Sequence, residues 1–146
     1  MEPTTALKRT PFYEYHRAAG AKLVDFAGFE MPVRYTGDVR EHMAVRNAAG
    51  LFDITHMGEF DVRGAGAAEW LDRMVTNHVG SLAVGQALYS PMCRPDGGIV
   101  DDLLVYRYED HHMVVVNAAN LSKDFAWLAE HKPAGVSLTD RSEATA

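Results

Sequence analysis

The chain has 146 residues, of which 47% are hydrophobic and 23% charged, and it carries a net charge of −6 at pH 7. This balance indicates a globular protein with a sizeable core, while the acidic charge and the lack of a basic run argue against a nucleic-acid-binding surface. The apolar runs are too short to span a membrane, and a single cysteine with no leader-like start predicts a reducing, cytoplasmic setting.

The first predicted elements are a short helix and two short strands. Thr10 and Pro11 are typical of a helix start, because threonine can cap free amides and proline fits the first helical position. The stripe expected to face inward on this helix consists of Phe12, Tyr15 and Ala19. Residues 22–26 and 30–35 then form two β-like segments.

A second helix is predicted from Asp38 to the residues before Gly50. Asp38 and Glu41 stand three residues apart, which is the spacing of a capping box in which each side chain reaches the other's backbone amide. The expected amphipathic face of this helix consists of Val39, Met43, Ala44, Arg46 and Ala48.

A loop from residue 51 leads into a strand that ends near Val62. His56-Met57-Gly58 within it has two interpretations that the sequence leaves open: a glycine that lets a ligand approach the backbone, or a turn with a buried methionine. A helix follows from about residue 66 to residue 76, with an inward side of Ala67, Trp70, Leu71 and Met74.

The rest of the chain is typical of an antiparallel meander. Residues 94–98, Arg-Pro-Asp-Gly-Gly, predict a tight turn between two strands, and Glu109-Asp110 predicts a second hairpin. A helix capped by Ser122 and a strand near Val136 complete the pattern. We therefore expect one α+β domain over residues 1–146, with a mostly antiparallel sheet and flanking helices.

Two adjacent carboxylates lie in the apolar strand after the tight turn. Because side chains alternate along a strand, Asp101 shares a face with Leu103, and Asp102 shares the other with Leu104 and Tyr106. A buried carboxylate without partners is costly, so Asp102 among apolar and phenolic neighbours is expected to line a ligand pocket. The alternative is that both acids are strand-start residues bonded to backbone amides.

The two hairpins would place the Asp102 strand between the strands that hold Tyr89 and Asn117. A face with a carboxylate, phenols and an amide among aliphatic groups suits a flat, nitrogen-rich heterocycle, whose N–H groups pair with the acid and the amide. No histidines or cysteines have metal-ligand spacing, since His111 and His112 are adjacent on a strand and point to opposite faces. We therefore predict no metal site.

Five sequence blocks together resemble one known family. They are Leu-Lys-Arg-Thr-Pro-Phe-Tyr at 7–13, Asp-Phe-Ala-Gly-Phe-Glu-Met-Pro-Val at 25–33, Glu-His-Met-Ala-Val-Arg at 41–46, Leu-Phe-Asp-Ile-Thr-His-Met-Gly-Glu at 51–59, and the stretch 97–106. In this order they resemble the amino-terminal part of the glycine cleavage system T-protein, the tetrahydrofolate-dependent aminomethyltransferase. The resemblance extends from about Leu7 to Leu138.

The resemblance implies a function, a co-substrate and a partner. Family members take the aminomethyl group from the lipoyl arm of the H-protein, release ammonia and give methylenetetrahydrofolate. By resemblance Asp102 is the catalytic carboxylate, placed to stabilise positive charge on the transferred carbon while it holds the pterin. The implied folate-binding residues are Met57, Tyr89, Asp102, Leu104, Tyr106 and Asn117.

The same resemblance leaves alternatives open. T-proteins are more than twice as long as this chain, so we interpret it as a truncated amino-terminal folate-binding region. Related folds include folate-dependent demethylases of methylated glycines and a non-catalytic folate-binding protein of iron–sulfur cluster maintenance. An inactive fragment is a further alternative.

Overall fold

The computed structural model describes residues 6–145. It contains four helices and seven strands within these residues, with short 3₁₀ segments at Val79–Ser81 and Ala118–Asn120. In order, the elements are α1 Tyr13–Ala18, β1 Lys22–Phe26, β2 Phe29–Arg34, α2 Asp38–Asn47, β3 Gly58–Arg63, α3 Ala67–Met74, β4 Ala87–Cys93, β5 Ile99–Arg107, β6 His112–Val116, α4 Leu121–Glu130 and β7 Ser137–Asp140.

The chain divides into two compact units, one up to His56 and one from Met57 onward. The first unit contains the antiparallel hairpin of β1 and β2. The second contains a five-stranded sheet in the order β4-β5-β6-β3-β7, in which every neighbouring pair is antiparallel. The predicted α+β class with a mostly antiparallel sheet is confirmed, whereas the single domain over residues 1–146 stays a prediction.

The hydrophobic core of the second unit lies on one face of this sheet. Alternate residues of β5 and β6 point into it, and α3 covers it with Trp70, Leu71 and Met74, all of which were expected to face inward. Further large side chains in this core are Phe60, Val62, Met92, Leu103, Val105, Val114, Val116 and Leu128.

The predicted turn between β4 and β5 is present. Asp96 accepts a hydrogen bond from the Gly98 amide at 2.9 Å, and Gly97 adopts a φ of +86°, which glycine reaches without the steric cost of a β-carbon. The turn sets the register in which Tyr89 pairs with Leu104 and Pro91 with Asp102. On the other side of β5, pairing with β6 begins at Leu103, so the two carboxylates lie just before it, beside Asn117.

In the first unit the predicted inward stripe of α1 is wrong. Tyr13 and His16 are the buried residues of this helix, while Phe12 and Tyr15 are exposed. Thr10 also does not cap the helix with its side chain, because its hydroxyl donates a hydrogen bond of 2.7 Å to Asp53. A polar contact far along the chain has therefore taken the place of the expected cap.

The predicted capping box of α2 is half correct. Glu41 reaches back and accepts hydrogen bonds from the amides of Tyr35, Thr36 and Gly37, but the N-cap residue is Gly37 and the Asp38 side chain makes no cap hydrogen bond. These backbone hydrogen bonds, that of Gly37 foremost, lower the pKa of Glu41. The expected amphipathic face buries no residue of α2.

Ser90 joins the end of α3 to β4 inside the second unit. Its side chain is fully buried, and its hydroxyl oxygen accepts hydrogen bonds from the amides of Thr76 at 3.0 Å and Asn77 at 2.9 Å. The sequence pattern alone gave no sign of this role. The Thr76 amide also donates to the Pro91 carbonyl at 3.1 Å, so Ser90 is the acceptor on which the Asn77 amide depends.

Replacing Ser90 by alanine is expected to lower the free energy of unfolding by about 1 kcal/mol, because the Asn77 amide loses its acceptor while the Thr76 amide keeps the Pro91 carbonyl. Urea denaturation followed by circular dichroism measures this change. Ser122→Ala is the matched control, since Ser122 is exposed and Asn120, not Ser122 as predicted, is the N-cap residue of α4. Equal midpoints for the two variants would contradict the role given to Ser90.

Candidate functional site

The two adjacent acids of β5 lie on opposite faces of the sheet, as their spacing predicted. Asp101 points to the core face with Leu103 and Val105, and only 7% of its surface is accessible. Asp102 points to the other face and is exposed, with Leu104 and Tyr106 beside it at intermediate exposure. The expectation that Asp102 is buried is therefore wrong, and the buried acid is its neighbour.

Tyr89 lies across the strand pair from Leu104 and next to Asp102. It is 58% exposed, and its phenol lies near enough to the Asp102 carboxylate to act as a hydrogen-bond donor to it. This hydrogen bond, more than burial, raises the pKa of Tyr89, because a phenolate would face a negative charge. Tyr89 is thus held as a neutral donor that orients Asp102.

Asn117 follows the last residue of β6 and lies opposite Asp102. Its amide nitrogen donates to Asp101 Oδ1 and to the backbone oxygen of Asp102, both at 3.1 Å. Both partners are acceptors only, so the amide must present its nitrogen to them. The side-chain oxygen of Asn117 is consequently directed away from Asp101 and can accept a hydrogen bond from a ligand.

Met57 is the last of the predicted binding residues. It precedes Gly58, which pairs with Val116, so Met57 and Asn117 lie at the same end of adjacent strands. We call the residues predicted to bind folate the Asp102 face. They are Met57, Tyr89, Asp102, Leu104, Tyr106 and Asn117. The structure places them on four neighbouring strands or at the ends of those strands.

Directly behind the Asp102 face is a pair of buried carboxyl groups. Asp124 of α4 is fully buried, and its carboxyl group makes a hydrogen bond with Asp101. Burial first, then the hydrogen bond with Asp101 and its negative charge, raise the pKa of Asp124 to about 8. Burial would also raise the pKa of Asp101, but hydrogen bonds from Asp124, Asn117 and Asn120 lower it below its ordinary value.

Asp124 is not among the residues predicted from the sequence, although a local signal exists. Asp124 follows Leu121 by three residues and precedes the buried Leu128 by four, so it lies on the inward stripe of α4. An acid on such a stripe requires a buried partner. Asp101, on the core face of β5, is that partner.

A second polar cluster lies in the first unit. His16 contacts Asp53 Oδ2 through Nε2 and the Tyr35 hydroxyl through Nδ1, both at 2.7 Å. Burial alone would raise the pKa of Asp53, but the hydrogen bonds from His16, Thr10 and Thr55 lower it to about 2. The cluster ties α1 to the residues after α2 and to the end of the β1–β2 hairpin.

Within residues 6–145 no group of three histidine, cysteine, aspartate or glutamate side chains is arranged to hold a metal ion. In the same part of the chain no helix has the length and apolar character needed to cross a membrane.

Comparison with known proteins gives consistent matches. The GCVT N-terminal domain family matches residues 12–146. An aminomethyltransferase of Desulforamulus reducens is 54% identical over 140 residues, which cover 95% of this chain and 38% of that protein. An aminomethyltransferase of Chloroherpeton thalassium is 55% identical over 139 residues, covering 94% of this chain and 38% of that protein.

A solved structure shows the same fold. The crystal structure of the glycine cleavage system aminomethyltransferase T from Bartonella henselae superposes with a TM-score of 0.84 at 39% sequence identity. The match covers 92% of this chain and 38% of that one. The chain thus spans 38% of the length of the relatives described here.

Proposed function

Because this chain belongs to the GCVT N-terminal domain family, we propose that it is the folate-binding part of a glycine cleavage system aminomethyltransferase. The family resemblance inferred from the sequence blocks is confirmed. The proposed reaction transfers the methylene carbon of an aminomethyl group, carried on the lipoyl arm of the H-protein, to tetrahydrofolate and releases ammonia. Since the chain spans 38% of its relatives, the reaction is proposed for the longer protein, to which this chain contributes one wall of the site.

The observation that supports this proposal most directly is the composition of the Asp102 face. One exposed carboxylate, oriented by the Tyr89 phenol, lies opposite an amide whose oxygen is directed away from the buried Asp101. Leu104 and Tyr106 supply apolar and aromatic surface beside them. A reduced pterin requires this combination of acceptors for its N–H groups and a flat apolar wall for its ring.

Each residue has a proposed role in the transfer. Tetrahydrofolate, as co-substrate, supplies the amine nitrogen that attacks the methylene carbon, while the bond from that carbon to the lipoyl sulfur breaks and the arm leaves as the dihydrolipoyl thiol. Asp102 lies where its negative charge would stabilise the positive charge that develops on that carbon, and it positions the pterin in line for attack. Tyr89 holds the Asp102 carboxylate, Asn117 accepts a pterin N–H, and Met57 packs against the ring.

The relatives favour aminomethyl transfer over the other folate chemistries of this fold. The three proteins described above are aminomethyltransferases, and none is a demethylase or a protein of iron–sulfur cluster maintenance. The lipoyl-bearing H-protein is the partner that this reaction requires. The cytoplasmic setting stays a prediction.

A chimeric enzyme tests the proposed function. The chain replaces the matching 140 residues of the Desulforamulus reducens aminomethyltransferase, and turnover is measured as ammonia release from aminomethylated H-protein in the presence of tetrahydrofolate. We expect turnover and saturable tetrahydrofolate binding, because the Asp102 face is supplied entirely by this chain. A chimera that folds, by circular dichroism and gel filtration, yet neither binds tetrahydrofolate nor turns over would overturn the proposal.

A further inference from the structure

The buried carboxyl pair behind the Asp102 face has an unusual hydrogen-bond balance. If both groups are treated as carboxylates, Asp101 Oδ2 and both oxygens of Asp124 are buried without a donor. Two acceptors in contact cannot satisfy each other, and two negative charges in a buried site repel. A single proton held between Asp124 and Asp101 removes both problems, because the protonated group then donates to the ionised one.

Among residues 6–145, Lys123 is the cation that acts on Asp124, and it does not take over this role. Lys123 Nζ is 3.9 Å from Asp124 Oδ1, but it donates a hydrogen bond of 2.6 Å to the backbone oxygen of Val100, and its side chain is half exposed. The remaining charged group that acts on Asp124 is Asp102, whose negative charge also disfavours ionisation. Asn117 and Asn120, the polar groups that contact Asp101, are neutral.

From this geometry we propose that Asp124 is a positioning residue of the Asp102 face: it shares one proton with Asp101, and Asp101 in turn holds the Asn117 amide with its oxygen toward the ligand. The inference rests on the proposed function, since the ligand class is a reduced pterin that donates an N–H to this oxygen. Asp124 itself lies on the core side of the sheet and would touch neither substrate.

The coupling follows from the contacts of Asn117. One amide hydrogen is fixed by the carbonyl of Asp102, which a substitution at Asp124 does not remove. The other is fixed by Asp101 Oδ1, whose own position depends on the proton from Asp124. Loss of that proton would therefore release the amide on one side and weaken its preference for a single orientation.

The inference also implies a pH dependence of the Asn117 environment. Below the pKa of Asp124, which is raised to about 8, the pair carries one negative charge and the hydrogen bond between the two groups is intact. Above it, Asp124 is ionised as well as Asp101, with Asp102 nearby and, in the described part of the chain, Lys123 as the opposing charge. The carboxyl groups then separate, and the Asn117 amide is expected to lose its fixed orientation.

Two substitutions at Asp124 test this inference, with Glu130→Gln on the exposed end of the same helix as the control. Asp124→Asn keeps a donor toward Asp101 but cannot ionise, whereas Asp124→Ala removes the donor. The first readout is the pair of side-chain amide NMR signals of Asn117 from pH 6 to 10, assigned by their loss in Asn117→Ser. The second readout is tetrahydrofolate affinity by calorimetry.

We expect the Asn117 signals of the unsubstituted chain and of Glu130→Gln to shift with a midpoint near pH 8. Asp124→Asn should abolish this titration and keep tetrahydrofolate affinity, and Asp124→Ala should weaken affinity about tenfold, which corresponds to one hydrogen bond. Because Asp124→Asn preserves shape and hydrogen bonding, it tests the inference even if Asp124→Ala fails to fold.

The outcomes separate this inference from the proposed function. Asn117 signals that neither titrate nor respond to Asp124→Asn would overturn the positioning role, whatever the folate result. If the signals titrate as expected but the unsubstituted chain and the chimera bind no tetrahydrofolate, the proposed function fails and the coupling of Asp124 to Asn117 is supported.

Discussion

Replacing Asp102 by asparagine is expected to lower the turnover of the chimeric aminomethyltransferase about 10²–10³-fold, which is the loss typical of removing one preorganised electrostatic contact to a transition state. Asparagine has nearly the same shape and can still accept a hydrogen bond from Tyr89, so the Asp102 face keeps its geometry. Only the negative charge beside the transferred carbon is lost. Single-turnover measurement of ammonia release reports the chemical step directly.

The separate effects of Asp102→Asn on kcat and on KM distinguish electrostatic catalysis from simple binding. If Asp102 stabilises developing charge, kcat falls by the larger factor and KM for tetrahydrofolate rises only a few-fold. Asp96→Asn is the control. Asp96 is an exposed acid in the β4–β5 turn, and its substitution by asparagine removes the same charge. A loss confined to KM, or an equal loss for Asp96→Asn, would assign Asp102 to binding alone or to the net charge.

The sheet of the second unit could be predicted because its determinants are local. The turn residues at 94–98 fix one hairpin, and alternation along β5 separates Asp101 from Asp102. Together they place Tyr89, Asp102 and Asn117 on adjacent strands, as expected from the sequence. The arrangement of the candidate site therefore follows from turn chemistry and from a two-residue period.

Which of the two acids is buried could not be predicted in the same way. Both faces of β5 carry aliphatic neighbours, so alternation defines two faces but not which of them α4 covers. That choice depends on tertiary packing, and it placed Asp101 against Asp124. A search for acids on inward helical stripes would have identified Asp124, because a buried carboxyl group needs a specific partner.

The first unit was harder to predict because its buried groups are polar and distant in sequence. His16 and Asp53 are separated by 37 positions, and no periodic pattern links them. Hydrophobic periodicity favoured Phe12 and Tyr15 as inward residues, whereas the structure buries His16 through its contacts to Asp53 and Tyr35. A hydrogen-bond network of this kind overrides a weak amphipathic signal in a helix of six residues.

The free energy of unfolding is expected to fall as the pH rises from about 5 to 7. Glu59 is buried and its Oε2 atom has no hydrogen-bond partner. Burial first, and the negative charge of Asp140 second, raise the pKa of Glu59 to about 7. Burial likewise raises the pKa of Asp124 to about 8. The folded chain therefore keeps protons that the unfolded chain releases above about pH 4.5. Each group stabilises the fold at low pH, and this stabilisation is lost as the pH rises to the pKa that the group has in the folded chain. Each retained proton lowers the free energy of unfolding by about 1.4 kcal/mol per pH unit. Asp53, whose pKa is lowered to about 2, stays ionised throughout this range.

Urea denaturation of the chain at pH 5, 6 and 7 measures this slope, and the double variant Glu59→Gln with Asp124→Asn is its control. Glutamine and asparagine keep the size and a donor but carry no titrating proton, so the double variant should lose the fall in free energy. The opposite contribution of His56 and His112, whose pKa values burial lowers, then remains and makes the free energy of unfolding rise slightly with pH. Each single variant should remove about half of the slope, because the two side chains make no direct contact and act independently. An unchanged slope in the double variant would mean that other groups set the pH dependence and that neither carboxyl group is protonated in the folded chain at neutral pH.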